Sequence, residues 1–266
     1  MSEPESSERG GAAREIKKAA ILFENSNQAI AVFPCAKANG EEVVAALGLK
    51  PHKAVIMILG GAASMDGGAA RRLTWLFGLG IARAAADSDA VIIDGGTQSG
   101  VMAMTGEAVA GSGHQSQLIG VVPAGMVAYP GGPASAGTRL EPNHSHFVLV
   151  EGNEWGSETS TMFSLARALA VKAPGVAVLI GGGPVSKAEA LCAVRQRLPL
   201  IVVDGNGGLA SNVAEACKER GTPPADPAMA EIVAGEIHIH QLSSPAAALE
   251  RLIVRKLGGG GLPRRA

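Results

Sequence analysis

Glycine-rich segments stand out among the residues whose types and spacing could do chemistry. They follow short apolar runs and comprise residues 60–61 (GG), 94–100 (DGGTQSG), 181–183 (GGG) and 204–208 (DGNGG). Glycine lets backbone N–H groups approach a phosphate closely, and a following helix adds its N-terminal partial charge. Tight turns also use glycine, but four such loops together predict a site for a nucleotide-derived ligand. The predicted ligand-binding residues are Gly60, Gly61, Gly95, Gly96, Thr97, Ser99, Gly100, Gly181, Gly182, Gly205, Asn206 and Gly207.

Four side chains near these loops could add to such a site. The hydroxyl groups of Thr97 and Ser99 would bind a phosphate or a ribose, or would cap the helix that follows. Glu158 would bind ribose hydroxyl groups or act as a general acid or base, or would only place a favourable charge at a helix N-terminus. Trp155 would stack on a base or pack in the core. We also expect a bulky residue at Gly96 to block the site without unfolding the domain.

Metal and cofactor sites are not predicted. His144 and His146 alternate on an extended segment, but no third ligand has a readable spacing, so both are interpreted as hydrogen-bonded structural histidines. Asp66 and Asp94 are loop acids that form turns or accept hydrogen bonds from ribose. The chain lacks G-x-G-x-x-G at a first strand-to-helix turn and lacks G-x-x-x-x-G-K-[ST]. No cofactor is therefore expected to be required.

Alternating strands and helices must position these loops. The predicted strands are Val- and Ile-rich runs at 54–59, 90–93, 117–122, 147–150, 176–180 and 200–203. Such unbroken apolar runs are typical of parallel strands that are buried on both faces. The predicted helices are 68–86, 100–110, 158–171, 185–197 and 209–220. This order predicts an α/β fold with a Rossmann-like, doubly wound, mostly parallel sheet, an antiparallel hairpin around residues 24–27 and an edge strand at 236–241.

Composition narrows the class of protein. The chain has 266 residues, a net charge of −1 and three cysteines without a C-x-x-C pair. A nucleic-acid partner, a disulfide scaffold and a membrane span are therefore not expected. The polar start is not a signal peptide, so a cytoplasmic protein is predicted. Residues 1–15 and the Gly/Arg tail at 258–266 are expected to be disordered, with a single domain at 16–257.

Six collinear motifs then carry a resemblance over about residues 50–220. They are 94–102 (DGGTQSGVM), 120–126 (GVVPAGM), 143–150 (NHSHFVLV), 155–158 (WGSE), 179–184 (LIGGGP) and 199–207 (PLIVVDGNG). In this order they resemble the SLOG superfamily. More specifically they resemble the LSDAT domain, which forms the N-terminal cytosolic domain of TRPM cation channels and also occurs in stand-alone prokaryotic relatives.

The resemblance implies a Rossmann-like domain that binds a nucleotide-derived ligand, such as the ADP-ribose bound by some TRPM channels. The first expectation is therefore a sensor domain for a small-molecule nucleotide. Related LOG-type enzymes cleave the N-glycosidic bond of nucleoside monophosphates, so an N-glycosidase with Glu158 as its catalytic group is an alternative. An oligomerisation scaffold with a degenerate pocket is a second alternative. A homo-oligomer or an effector partner is left open.

Some family positions differ in this chain. Two arginines of the ADP-ribose-binding members correspond to Met162 and Gly208 here. A charge-assisted hydrogen bond contributes roughly 1.5–3 kcal/mol, so the loss of two weakens pyrophosphate binding unless other cations substitute. The candidates are Arg139, Arg167, Lys187 and Arg195. Ser160 stands where LOG enzymes carry a glutamate, and Glu158 lies two residues earlier, which puts the LOG mechanism in doubt.

Overall fold

A computed structural model describes residues 16–61, 67–113, 116–133, 137–219 and 224–258, with the side chains of 67–69 left out. Residues 1–15 and all but the first residue of the 258–266 tail, which were predicted to be disordered, lie outside this range, as does the loop acid Asp66. No helix in these ranges is long and apolar enough to cross a membrane.

A nine-stranded sheet forms the centre of the described structure. Its strands are β1 (Lys17–Leu22), β2 (Gln28–Phe33), β3 (Ala54–Gly61), β4 (Ala90–Asp94), β5 (Leu118–Pro123), β8 (His146–Val150), β9 (Gly175–Gly181), β10 (Leu200–Asp204) and β11 (Ile237–Gln241). Two short strands, β6 (Val127–Ala128) and β7 (Thr138–Arg139), pair with each other apart from this sheet. The six predicted central strands, the hairpin and the edge strand are all present.

The strand order is β1-β2-β8-β5-β4-β3-β9-β10-β11. Every neighbouring pair is parallel except the hairpin β1–β2. The chain builds outward from β3 through β4 and β5 to β8, and then crosses back to add β9, β10 and β11 on the other side of β3. The order thus reverses between β3 and β9, which is the switch point of a doubly wound sheet. The predicted fold class is confirmed.

Helices cover both faces of the sheet. They are α1 (Gly40–Leu47), α2 (Gly67–Trp75), a π-helical stretch (Leu76–Ala82) that leads into α3 (Arg83–Asp87), α4 (Gly100–Gly111), α5 (Thr159–Ala170), α6 (Pro184–Arg195), α7 (Gly208–Lys218), α8 (Pro227–Val233) and α9 (Ala246–Lys256). Helices α1 and α8 were not predicted, because each is only two turns long. A reciprocal capping box between Asn39 and Glu42 starts α1, and Asp226 caps α8.

The two faces of β3 show why its sequence is continuously apolar. Val55, Met57 and Leu59 pack into one core cluster, together with residues of α1, α5, α6, α7 and α8. The intervening Ile56 and Ile58 pack into a second cluster, with residues of α3, α4, α9 and the π-helical stretch. Because side chains alternate along a strand, burial on both faces leaves no position for a polar residue. Polar groups are therefore confined to the strand ends.

Candidate ligand site

Three glycine-rich strand ends meet at the switch point. We call residues 60–61, 181–183 and 205–208 the glycine edge. Gly61 pairs with Gly181 in the β3–β9 register, and the Leu209 N–H donates to the Gly182 carbonyl at 2.9 Å. A side-chain carbon at Gly208 would lie 2.7 Å from that same carbonyl oxygen, and one at Gly60 would collide with the carbonyl of Ile180. Only glycine allows the backbones to approach this closely. The contact holds three loops together at the carboxyl ends of β3, β9 and β10.

Helices α6 and α7 begin at the glycine edge. Their N-cap residues are Gly183 and Gly207, and no side chain caps either helix. In the first turns, the Leu209 N–H of α7 is already bonded to the Gly182 carbonyl, and Pro184 at the start of α6 has no N–H. The other first-turn N–H groups have no partner within their helix and can receive an acceptor from a ligand. The structure therefore brings together the predicted residues Gly60, Gly61, Gly181, Gly182, Gly205, Asn206 and Gly207.

The segment before α5 joins the glycine edge through α6. Gly156 has a φ of +100°, and a side-chain carbon there would contact Val185 in the first turn of α6 at 3.7 Å. Glu158 stands at the N-cap position of α5, where its buried carboxylate accepts a hydrogen bond from the Gly156 N–H at 2.7 Å. Trp155 is 42% exposed, so the core-packing interpretation of this residue is wrong. Its indole remains accessible for stacking.

The loop after β4 takes a different course. Gly96 has a φ of +62°, and a side-chain carbon there would lie 2.7 Å from the Gly120 Cα and 3.0 Å from the Phe147 ring. Its neighbours are thus on β5 and β8 rather than on β9 or β10. Any larger residue at Gly96 would strain the backbone and collide with the sheet. The expectation that such a residue blocks a site without unfolding the domain is therefore wrong.

The hydroxyl groups of this loop do not act as caps. Ser99 occupies the N-cap position of α4, after the loop that contains Gly95 and directly before Gly100, the first residue of the helix, but its side chain makes no capping hydrogen bond. Its Oγ instead lies 3.1 Å from the Oγ1 of the buried Thr97. The capping interpretation is wrong for Ser99, and a ligand role for both residues stays a prediction.

A buried polar group, which we call the histidine cluster, anchors the end of β4. It consists of Asp94, Glu141, Asn143 and His144. The His144 ring lies 2.7 Å from Glu141 Oε2 through Nδ1 and 2.8 Å from Asp94 Oδ1 through Nε2. Asn143 donates to Glu141 through its backbone N–H at 2.9 Å and its side-chain amide at 2.6 Å. Burial by itself would lower the pKa of His144, but the two carboxylates raise that pKa to about 9.

These contacts confirm that His144 is a hydrogen-bonded structural histidine. His146 is also buried, and its Nδ1 lies 2.8 Å from the hydroxyl of Ser145. Burial and the charge of Lys50 lower the pKa of His146 to about 4, so this ring is neutral at pH 7. Within the described ranges, no group of three His, Cys, Asp or Glu residues could hold a metal ion.

A further buried acidic residue, Glu189, was missed by sequence reasoning. It lies in α6 and is only 7% exposed. Burial, together with the nearby carboxylates of Glu158 and Asp94, raises the pKa of Glu189 to about 8. Burial also raises the pKa of Glu158. The available signal was the position of Glu189 on the face of α6 that it shares with Ser186, Ala190 and Ala193. That face is buried, and burying an acidic side chain without a partner is unfavourable.

Three buried side-chain atoms at the carboxyl edge have no hydrogen-bond partner in the described structure. They are Asp94 Oδ2 at the end of β4, Thr159 Oγ1 at the start of α5 and Asn206 Oδ1 after β10. A fourth such atom, His240 Nε2, lies within the outer strand β11. Buried polar atoms are almost always paired in folded proteins, so a concentration of unpaired ones marks a place where a ligand can supply the partner.

The cations proposed to replace the missing arginines do not gather here. Met162 is 1% exposed in the core of α5. Lys187 pairs with Asp226, and Arg195 donates to both oxygens of Glu231 at 2.8 Å. Arg139 instead lines a cavity of about 650 Å³ between the β1–β2 turn and the β6–β7 ribbon, which it shares with Phe23, Gln98 and Tyr129. A second cavity of about 580 Å³ lies between the π-helical stretch and α4.

Neither cavity is lined by a predicted ligand-binding residue. Cavity volume alone would therefore favour a ligand site away from the glycine edge. We place the candidate site at the glycine edge because the close backbone packing, the uncapped helices and the unpaired buried atoms all occur at the carboxyl ends of the strands.

Comparison with known proteins identifies the family of this chain. Residues 53–249 match the family model LSDAT_prok, described as SLOG in TRPM, prokaryote. The transient receptor potential cation channel subfamily M member-like 2 of Nematostella vectensis is 32% identical over 201 residues, which cover 61% of this chain and 13% of the relative. Subfamily M member 2 of Mus musculus is 28% identical over 205 residues, which cover 63% of this chain and 14% of that channel.

The chain thus matches only about a seventh of the length of these curated channels. The family match, in contrast, includes every strand from β3 to β11 and all residues of the glycine edge. The resemblance drawn from the six motifs is confirmed, and the chain belongs to the SLOG-in-TRPM family of the prokaryotic type, LSDAT_prok.

Proposed function

We propose that this protein binds a nucleotide-derived small molecule at the glycine edge and acts as a ligand-sensing domain. The observation that carries the proposal is the meeting of three glycine-rich strand ends on either side of the switch point between β3 and β9. In open α/β sheets, ligands bind outside the carboxyl ends of the strands at such a point. The family resemblance supports the same ligand class.

The local electrostatics support an acceptor-bearing ligand beside the helix ends. The N-termini of α6 and α7 carry the partial positive charge of a helix and have no side-chain cap. Trp155 offers an exposed aromatic face, and Glu158 lies three residues along the chain from it. A nucleoside could stack its base on the indole of Trp155 and donate its ribose hydroxyl groups to the carboxylate of Glu158.

A thermal-shift panel tests the proposal. The probes are AMP, ADP-ribose, cyclic ADP-ribose, NAD, adenosine and ribose 5-phosphate. A ligand at 100 times its Kd adds about 2.7 kcal/mol to the free energy of unfolding, which raises the Tm of a domain of this size by several degrees. No shift with any probe would contradict the proposal and would favour the oligomerisation scaffold.

A matched pair of variants tests the location. A side-chain carbon at Gly183 meets no atom within 4 Å, and the same is true at Gly111 at the end of α4. Gly183→Leu should fold normally and lose the thermal shift, because its side chain would occupy the glycine edge. Gly111→Leu, far from that edge, should keep the shift. Equal binding by both variants would contradict the placement.

A nucleotide N-glycosidase is the second candidate function. Its support is the pair of buried carboxyl groups, Glu158 and Glu189, whose pKa values are both raised. With a pKa of about 8, the carboxyl group of Glu189 stays protonated near neutral pH, and such a group can act as a general acid toward a leaving base. Incubation with AMP, followed by chromatographic detection of free adenine, tests it: release that Glu158→Gln abolishes would favour the enzyme, and intact AMP would favour the sensor.

A further inference from the structure

The unpaired atoms at the carboxyl edge indicate what kind of ligand fits there. We propose, resting on the proposed function, that the site recognises its ligand through the ligand's hydrogen-bond donors, and so selects a neutral nucleoside with free sugar hydroxyl groups over a pyrophosphate-bearing nucleotide.

The chemistry of the unpaired atoms carries this inference. Asp94 Oδ2 and Asn206 Oδ1 can only accept hydrogen bonds, and the hydroxyl of Thr159 can both donate and accept. A phosphate at neutral pH offers mainly acceptors and cannot satisfy Asp94 or Asn206. Sugar hydroxyl groups and base amino groups can. A ligand that supplies those donors removes the unfavourable burial of the two oxygens, and one that lacks them does not.

The charges at the same edge disfavour a pyrophosphate. Asp94, Glu158 and Glu189 are each less than 10% exposed, and the first two raise the pKa of the third through their charge. Adding two phosphate charges beside the carboxylates of Asp94 and Glu158 would be repulsive unless cations compensated. Lys187 and Arg195 are already paired with Asp226 and Glu231.

The spacing of the unpaired atoms requires a ligand with separated donors. Asp94 ends β4 and Asn206 follows β10, and β3 and β9 lie between these strands. Three inter-strand spacings correspond to about 14 Å. A single sugar ring is too short to reach both ends, whereas a nucleoside carries a sugar and a base with donors on each.

Calorimetric titration of the full chain tests the selectivity. The probes are adenosine, guanosine, cytidine and uridine, the 2′,3′-dideoxy form of the tightest of these, and ADP-ribose. We expect one ribonucleoside to bind at least tenfold more tightly than its dideoxy form and than ADP-ribose. If ADP-ribose binds more tightly than every nucleoside, this inference is overturned while the proposed function stands. If nothing binds, both fail.

The variant Thr159→Val separates a ligand role from a structural one. It removes a buried hydroxyl that has no partner, so the Tm of the unliganded protein should rise while nucleoside affinity falls about tenfold. Thr105→Val is the matched control, because Thr105 is also buried but its hydroxyl donates to the Val101 carbonyl at 2.8 Å. It should lower the Tm and leave affinity unchanged.

A third variant keeps the test decisive if Thr159→Val does not fold. Asn206→Ala removes the unpaired amide oxygen from the half-exposed loop after β10 and should also weaken nucleoside binding about tenfold. Unchanged affinity in Asn206→Ala, or a lowered Tm with unchanged affinity in Thr159→Val, would overturn the inference.

Discussion

The histidine cluster and the glycine edge lie at the same end of the sheet but differ in whether their buried polar atoms have hydrogen-bond partners. In the histidine cluster, both ring nitrogens of His144 meet a carboxylate, and Glu141 also accepts two hydrogen bonds from Asn143. At the glycine edge, by contrast, Asn206 Oδ1 is buried without a partner, and α6 and α7 start without caps.

Asp94 has one paired and one unpaired carboxylate oxygen, and so shares a property with each region. Its Oδ1 contacts His144 and accepts from the Gly96 N–H at 2.7 Å, whereas its Oδ2 has no partner. A buried network in which the polar groups are paired contributes to a unique fold, and a buried atom without a partner carries an unfavourable free energy that a hydrogen-bond donor of a ligand can remove. The comparison shows how hydrogen bonding distinguishes two kinds of buried polar residue near a strand end. Those whose polar atoms are paired stabilise the fold, and those with unpaired atoms are candidates for ligand binding.

The largest expected effect comes from breaking the histidine cluster. His144→Phe removes the cation between Asp94 and Glu141 and leaves two buried carboxylates without a counter-charge, so the free energy of unfolding should fall by about 3–5 kcal/mol. His238→Gln is the control, because His238 contacts Glu236 on the edge strand β11. Denaturant titration measures both, and a loss below about 1 kcal/mol in His144→Phe would contradict the structural role of the cluster.

The pH dependence of stability sharpens the comparison. His144 binds its proton more tightly in the folded chain, because its pKa is raised from 6.5 to about 9. Its stabilising contribution is therefore complete below pH 6.5 and is lost as the pH rises through 9, a change of up to about 3 kcal/mol. Glu189, whose pKa is raised to about 8, changes stability in the same direction between pH 4.5 and 8.

Unfolding measured at several pH values checks this expectation. The wild type should lose stability from pH 4.5 to 9, because the windows of Glu189 and His144 overlap. His144→Phe should lack the loss that His144 causes between pH 6.5 and 9 and should keep the loss that Glu189 causes between pH 4.5 and 8. An identical slope in both proteins would show that His144 does not hold its proton in the folded state.

Glycine substitutions compare the two loops directly. Gly96→Ala places a side chain at a φ of +62° and 2.7 Å from the Gly120 Cα, so it should lower the free energy of unfolding by about 2 kcal/mol or more. Gly183→Ala, at a φ of −131° with open space around it, should change it by less than about 0.5 kcal/mol. Equal losses would contradict the distinction between a packed loop and an open one.

The smallest effect on stability is expected at Trp155. This side chain is 42% exposed, so Trp155→Ala should change the free energy of unfolding by no more than about 0.5 kcal/mol. Binding of the tightest probe should still weaken several-fold, because an aromatic contact contributes about 0.5–1.5 kcal/mol. Calorimetry beside denaturant titration measures both quantities, and a large loss of stability with intact binding would assign Trp155 to the fold.

The local pattern of apolar residues was enough to predict the central strands and most of the helices, and their order along the chain. The six Val- and Ile-rich runs became strands within a few residues of their predicted bounds, since a strand buried on both faces admits only apolar residues. The short helices α1 and α8 were missed, because two turns give too few residues for a helical period to stand out.

The site was only partly accessible to the same reasoning. Glycines after each strand indicated a ligand site, but the sequence could not tell that residues 60–61, 181–183 and 205–208 meet while Gly96 packs on β5. Glu189 carried no motif, and its importance follows from burial beside Glu158.

By itself, therefore, the sequence determined the α/β class, the family and the chemistry available at each strand end. Tertiary structure alone decided which ends meet, and it joined Asp94 to His144 across 50 residues of chain. The physical reason is that apolar periodicity is set by each residue's own neighbours. Strand order and register, in contrast, depend on packing between segments far apart in the chain, and that packing determines which polar atoms find partners and which await a ligand.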